Sequence, residues 1–460
     1  MASESEAEAK PAESPAPAAA GVAAKEQGSD WPSFLGPNGD GKSSETGILT
    51  DWKNSPPRIV WQKPLGTSYG IGCVSNGRLF QFDRFGDKGR VYALDAKTGE
   101  ELWRYEYDTE YEDLYGYNNG PRCSPIVDED RVYAFGVDGM LLALRAEDGK
   151  LLWQFDTNKE FGVIQNFFGV GSNPVVFGDL LIVMVGGSPE EAKEVPPGRL
   201  DRVTGNGSGI VAFDKLSGKV RYKITDELAS YSSLKTATVD GRPWCFAFCR
   251  DHLVGFDPRS GAVDFQFPWR ARILESVNAA MPVVVGNEVL ITETYGPGAA
   301  LLAVKPGEYR VVWQDDPRKR DKAMQAHWNT PVYVDGYLYG CSGRHTENAE
   351  LRCIEWKTGK VMWSEPGLTR TSLTYIDGHF LCLGEYGTLH LIKVNPEKFE
   401  PVAELTLTRP VNGPIPEGFA AARPLLKYPC WAAPVVAQGL LYLRGDDRLV
   451  CLELIPKQEQ

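Results

Sequence analysis

From Arg58 to Leu454 the chain alternates short apolar runs with turns rich in Gly and Asp, and one unit of that pattern keeps returning. Its clearest copy is Ala93-Leu-Asp-Ala-Lys-Thr-Gly99-Glu-Glu-Leu-Trp103. Val91 to Leu94 alternate as a strand, Asp95 to Gly99 make a turn, and Glu100 to Tyr105 alternate again, carrying a large aromatic residue. An Asp at the head of such a turn accepts from its amides, and a Gly at its end supplies the positive φ of the return. Further copies end at Trp153, Tyr222 and Trp363, looser ones at Phe265 and Trp313, and a degenerate one covers Leu391 to Leu405. An apolar strand pair precedes each turn, as in Ser124-Pro-Ile-Val and Arg131 to Gly139, so one unit is four short strands in about 45 residues.

Four-stranded units repeated at this period predict an all-β fold, an eight-bladed β-propeller of antiparallel blades. The units start near Cys73, Cys123, Asn173, Thr236, Met281, Thr330, Ser372 and Ala433. The eighth stops after Arg448 to Leu454, before an outer strand. The stretch Arg58-Ile-Val-Trp61-Gln-Lys is therefore expected to close that last blade from the other end of the chain, leaving no open edge. Residues 58–456 are then a single domain, 29–57 an irregular arm packed on it through Trp31, Phe34 and Trp52, and 1–28 a leader rich in Ala, Glu and Pro with too few large apolar side chains to fold alone.

A formal net charge of -12 argues against a nucleic-acid surface, which needs a dense basic face. No apolar run approaches the roughly 20 residues that span a bilayer. The leader lacks the charged and apolar regions of a signal peptide, but tails of this composition follow removed export signals, so a periplasmic or otherwise exported monomer is expected. Gly36-Pro-Asn-Gly-Asp-Gly41-Lys42-Ser43 fits the phosphate-loop pattern, yet no strand leads in and no amphipathic helix follows, so nucleotide binding is not expected there. The nine Cys have no metal-like spacing. Cys245 and Cys249, four strand steps apart, lie about 13 Å from each other, too far for a disulfide. Cys341 and Cys353 are expected roughly opposite each other across a hairpin, and all nine are expected as buried reduced thiols.

Propeller chemistry sits where the innermost strands begin, so the loops before each unit belong together. They offer Asn119, Arg122, Ser172, Lys235, Asn278, His327, Trp328 and Trp431 as candidate ligand-binding residues of one axial funnel. Amides, hydroxyls, aromatic faces and a few cations suit a small polar ligand that carries a ring or an acidic group. In this reading Arg122 and Lys235 hold acidic groups, and Trp328 or Trp431 stacks on a ring. His327 faces the axis but has no partner carboxylate at a fixed spacing, and no residue is assigned a catalytic or metal-binding role.

The Ala93–Trp103 pattern resembles the tryptophan-docking motif of the pyrroloquinoline quinone (PQQ) repeat superfamily, over about residues 58 to 454. Trp31-Pro-Ser-Phe-Leu-Gly-Pro, Ser276-Val-Asn-Ala-Ala and Cys430-Trp431 are similar to segments of PQQ-like propellers frequent in planctomycetes. The superfamily includes quinoprotein alcohol dehydrogenases and a non-enzymatic lipoprotein that assists β-barrel assembly in bacterial outer membranes. The resemblance implies the fold first. For function it implies a binding or scaffold protein of the cell envelope with an unknown protein or small polar ligand as partner. Its alternative is a PQQ- and Ca²⁺-dependent alcohol or polymer dehydrogenase. Those dehydrogenases typically carry an adjacent Cys pair, a Ca²⁺ site from Glu and Asn, and a catalytic Asp. This chain has no adjacent Cys pair, and only Glu275 and Asn278 offer themselves as oxygen ligands, short of the six to eight that Ca²⁺ takes.

Overall fold

The computed structural model describes residues 28–165, 167–196, 198–410 and 422–456. Residues 1–27 of the expected leader, and residues 411–421 in the Pro-containing stretch 406–429, lie outside them. The described residues form eight four-stranded antiparallel blades. Seven are continuous in sequence, spanning residues 73–108, 126–156, 175–224, 235–268, 283–314, 332–366 and 371–406. The eighth joins three strands within residues 435–453 to the strand Ile59–Pro64. Trp61 pairs with Cys451 and Lys63 with Leu449, so the two ends of the ring are held in one sheet.

The core is divided among the blade interfaces. Phe80, Phe82, Val132 and Leu142 fill the gap between blades 1 and 2. Val74, Leu79, Leu449 and Cys451 fill the seam between blades 1 and 8 in the same way. At the outer side of these interfaces one aromatic contact recurs. The indole N–H of Trp103 donates to the carbonyl of Ala146 in the next blade at 3.0 Å, and Trp153 to Lys215, Trp313 to Trp356 and Trp363 to Asn395 do likewise. Trp61 completes the circle by donating to Ala96 at 3.0 Å.

The turn residues explain why the ring fits. Asp95 accepts from the amides of Lys97 and Thr98, and Gly99 closes the turn at φ 73°. A Cβ on Gly99 would stand 2.7 Å from the Trp61 ring, and one on Gly149 2.4 Å from Trp103. Glycine is thus needed twice over, for its left-handed backbone and for the flat space above it.

One feature departs from plain alternation. Ala93 pairs with Trp103 while Leu94 pairs with Glu101, so Leu102 is an extra residue in the outer strand. The same one-residue shift recurs beside Trp153, Tyr222, Phe265, Trp313 and Trp363. A bulge turns the strand locally, which aims the aromatic residue at the neighbouring blade.

All nine Cys are buried free thiols. Cys341 and Cys353 lie on adjacent strands of blade 6 but not opposite each other. Cys341 faces Leu351 and Cys353 faces Tyr339, which makes the two thiols diagonal neighbours. The pairing lies two residues from the expected register, and the loop between the two strands holds the short helical turn Thr346–Asn348.

Candidate functional site

Contacts between the first strands of successive blades put those strands around the axis. The loops that lead into them surround a cavity of about 720 Å³, with Tyr69, Arg122, Asn173, Ser233, Ala279, Trp328, Arg370 and Trp431 as one lining residue from each blade's entry loop. That volume lies inside the range of small-molecule sites.

The floor comes from the arm. Trp31 pairs with Val74 of blade 1, and the Pro32 carbonyl accepts from Val127 of blade 2. After a knot of turns at Gly36, Gly39 and Gly41 the chain leaves along blade 7, where Ser43 donates to Tyr375. Between those anchors Phe34 and Leu35 line the cavity. The phosphate-loop look-alike is therefore a structural knot. The amides of Asp40 and Gly41 bond the Leu35 carbonyl, and Lys42 lies over the Tyr333 ring.

Of the sequence candidates, Arg122, His327, Trp328 and Trp431 line this cup. The others are engaged elsewhere. The Lys235 ammonium donates to the carbonyls of Asn38 and Gly39, at 2.5 and 2.8 Å, and so holds the arm from blade 4. Burial lowers its pKa. Asn278 donates to the carbonyls of Cys249 and Arg250, Asn119 accepts from the Asp113 amide, and Ser172 lines a smaller side chamber.

The walls are aromatic and continuous. Tyr428, Trp431, Trp328, His327 and Tyr295 follow one another with ring centroids 4.4 to 6.1 Å apart. Three guanidinium groups sit against them. Arg122, over Tyr69, is held by Asp113 at 2.5 Å. Arg370 lies over Trp328 and Trp431 and is held by Glu385 at both Nε and Nη2, at 2.9 and 2.6 Å. Burial alone would lower the Arg370 pKa and raise that of Glu385, but the ion pair reverses both shifts. Arg344 lies 4.2 Å from the centre of the Tyr295 ring.

His327 is not placed to act as a base. Burial, with Arg370 and Arg344 nearby, pushes its pKa down to about 3, and its Nε2 meets only the Tyr295 hydroxyl, at 3.3 Å. Sequence reasoning missed Arg344, Tyr295, Asp446 and the floor. Arg344 and Asp446 come from loops between later strands of blades 6 and 8, and only a folded chain brings those beside the entry loops.

A family profile described as outer membrane protein assembly factor BamB matches residues 56–225 and 198–398. The chain belongs to that family. The match does not reach Phe34 and Leu35, which floor the cup. Among solved structures, BamB from Moraxella catarrhalis is similar at a TM-score of 0.54 and 14% identity, over 88% of this chain and 99% of that one. The computationally designed Ika8 protein is similar at 0.50 and 10% identity, over 86% and 98%. A quinohemoprotein alcohol dehydrogenase from Comamonas testosteroni gives 0.49 and 14%, over 94% and 82%. At these identities the likeness is one of fold. No curated protein matches the chain. The BamB family assignment makes this a PQQ-like propeller, and among the described residues no helix is long and apolar enough to cross a membrane.

The side chains in the cup do not fit a PQQ–Ca²⁺ centre. Among the described residues Asp446 is the one carboxylate in the lining, Glu275 is exposed outside it, and Asn278 turns its amide to backbone carbonyls. Among the described residues no group of three His, Cys, Asp or Glu could hold a metal.

Proposed function

We propose that this chain is a binding protein of the bacterial cell envelope whose axial cup takes a small polar ligand that carries a ring. The observation that carries the reading is the convergence of entry loops from every blade on one floored cavity with a nearly unbroken aromatic wall. Ring faces give a ligand area at little entropic cost, and Trp328 Nε1 and His327 Nδ1 are buried polar atoms with no partner among the described residues. The family's name supports the envelope location and a non-catalytic role.

Calorimetric titration with a panel of ring-bearing acids, acidic sugars and aromatic dipeptides tests it. At least one class should bind the wild type and lose binding when Trp328 and Trp431 are both changed to Ala. If no class binds, or the double variant binds equally well, the reading fails.

A second reading has its own observation. Tyr115, Tyr117, Tyr386 and Tyr428 stand 46 to 72% exposed around the mouth. Exposed aromatic residues on a rim serve protein docking, which suits a relative of an assembly factor. Crosslinking of envelope extracts that changes with rim variants but not with Trp328→Ala would favour it.

A further inference from the structure

The cup holds two charges of opposite sign that no side chain neutralises, and they do not sit together. Arg344 enters from blade 6 and Asp446 from blade 8, with blade 7 between them. Among the described residues neither has an ion-pair partner within 4.0 Å, whereas Arg122 and Arg370 do. The carboxylate nearest in sequence to Asp446 is its neighbour Asp447, which takes Lys427 at 3.1 Å and Arg448 at 3.7 Å. Arg444, two residues before Asp446, turns its N–H groups to Ser68 and to the carbonyl of Gly70. On the other side, both carboxylate oxygens of Glu293 are buried with no hydrogen-bond partner among the described residues, so Arg344 does not reach that acid either. Burial raises the Glu293 pKa, and Arg344 opposes that rise only through space.

Half-buried charges of this kind keep part of their desolvation penalty until a ligand supplies the opposite charge. Trp328, from the entry loop of the same blade, also lines the cup, and its Nε1 has no partner among the described residues. A guanidinium that lines a cavity without a carboxylate partner is arranged for a carboxylate, and a lone Asp two blades further round the wall is arranged for an ammonium. Between them run Tyr428, Trp431 and Trp328, whose faces suit a ring.

We infer that the ligand of the axial cup is a zwitterion with an aromatic body, of the chemical class of an aromatic amino acid or short aromatic peptide. Its carboxylate pairs with Arg344 and its ammonium with Asp446. A volume of about 720 Å³ accommodates a dipeptide. This inference rests on the proposal that the cup is a ligand site, and it adds the ligand's charge pattern.

The test uses the full chain and diphenylalanine as probe, in three forms: unmodified, N-acetylated and C-amidated. The unmodified dipeptide should bind at least ten times more tightly than either capped form. Arg344→Gln should weaken binding of the unmodified and acetylated forms about tenfold or more and leave the amidated form unchanged. Asp446→Asn should weaken the unmodified and amidated forms and leave the acetylated form unchanged. This crossed pattern is a statement about pairing, and a variant that merely folds poorly would weaken all three alike. If the acetylated form binds as tightly as the unmodified one, the ligand is an anion and the inference falls, while the cup remains a site. If neither dipeptide nor capped form binds but an acidic sugar or ring acid does, the inference falls and the proposed function stands. If nothing in that set binds, both fall.

Discussion

The ring and the cup are built on opposite plans. Most blade interfaces reuse the same parts, an outer-strand aromatic residue above a tight turn with a Gly, so the Trp103 and Trp363 contacts are nearly interchangeable. The cup does not follow the repeat: its eight entry loops supply six residue types in no regular order, and the floor comes from an arm outside the repeat. Repetition gives stability by summing similar interfaces. Recognition needs the reverse, since a ligand without eightfold symmetry is bound only by walls that differ. Substitutions in the ring should therefore act on folding, and substitutions in the cup on binding.

The largest effect is expected at the seam. Trp61→Ala removes both an indole packed on Gly99 and the bond to Ala96 where the ring is closed by pairing alone. It should cost about 3–5 kcal/mol in denaturant unfolding. Trp103→Ala, at an interface also held by chain connectivity, should cost less. Equal losses would mean the seam is no weaker than the other interfaces. Next comes Gly149→Ala, whose methyl would stand 2.4 Å from Trp103 at a backbone φ of 72°. It should cost about 1–3 kcal/mol, while Gly307→Ala, also at positive φ but in open space, should cost less.

Lys235→Met blurs the boundary between the two regions, because Lys235 belongs to the ring yet holds the floor. It should raise proteolysis of the arm near Asn38 and Gly39 and weaken any cup ligand, with the melting temperature of the ring little changed. A large drop in melting temperature would show that the arm is part of the ring's own stability.

A pH dependence is expected as well. Burial raises the folded pKa of Glu293 to about 8 from an ordinary 4.5. The unfolded chain therefore releases this proton first, and stability is lost as pH rises from 4.5 through 8, by at most about 1.4 kcal/mol per pH unit. Glu293→Gln should flatten that slope in urea titrations at pH 5 and 8. An unchanged slope would show that Glu293 is ionised in the folded protein.

The same contrast explains what could be read in the sequence. The ring was legible because Asp95, Gly99 and Trp103 recur at fixed spacing, and even the closing strand announced itself through Trp61. The bulge at Leu102 left no separate mark, since an extra exposed residue looks like any other surface position. In the cup, the entry loops could be located but their side chains could not be assigned. Lys235 and Arg122 looked like anion binders from sequence, yet the first meets carbonyls of an arm nearly two hundred residues away and the second meets Asp113. Arg344 was hidden because it precedes no innermost strand. Charge pairing over such distances is a property of the fold, and no local pattern records it.

The separation of ring from cup is tested most directly by thermal melts of the wild type and of the Trp328→Ala, Trp431→Ala double variant. Each is melted alone and with the panel of ring acids, acidic sugars and aromatic dipeptides. The account predicts that the two proteins melt within a few degrees of each other without ligand, and that only the wild type is raised by the class that binds. A variant that melts far below the wild type, or one raised equally by the same compounds, would contradict it.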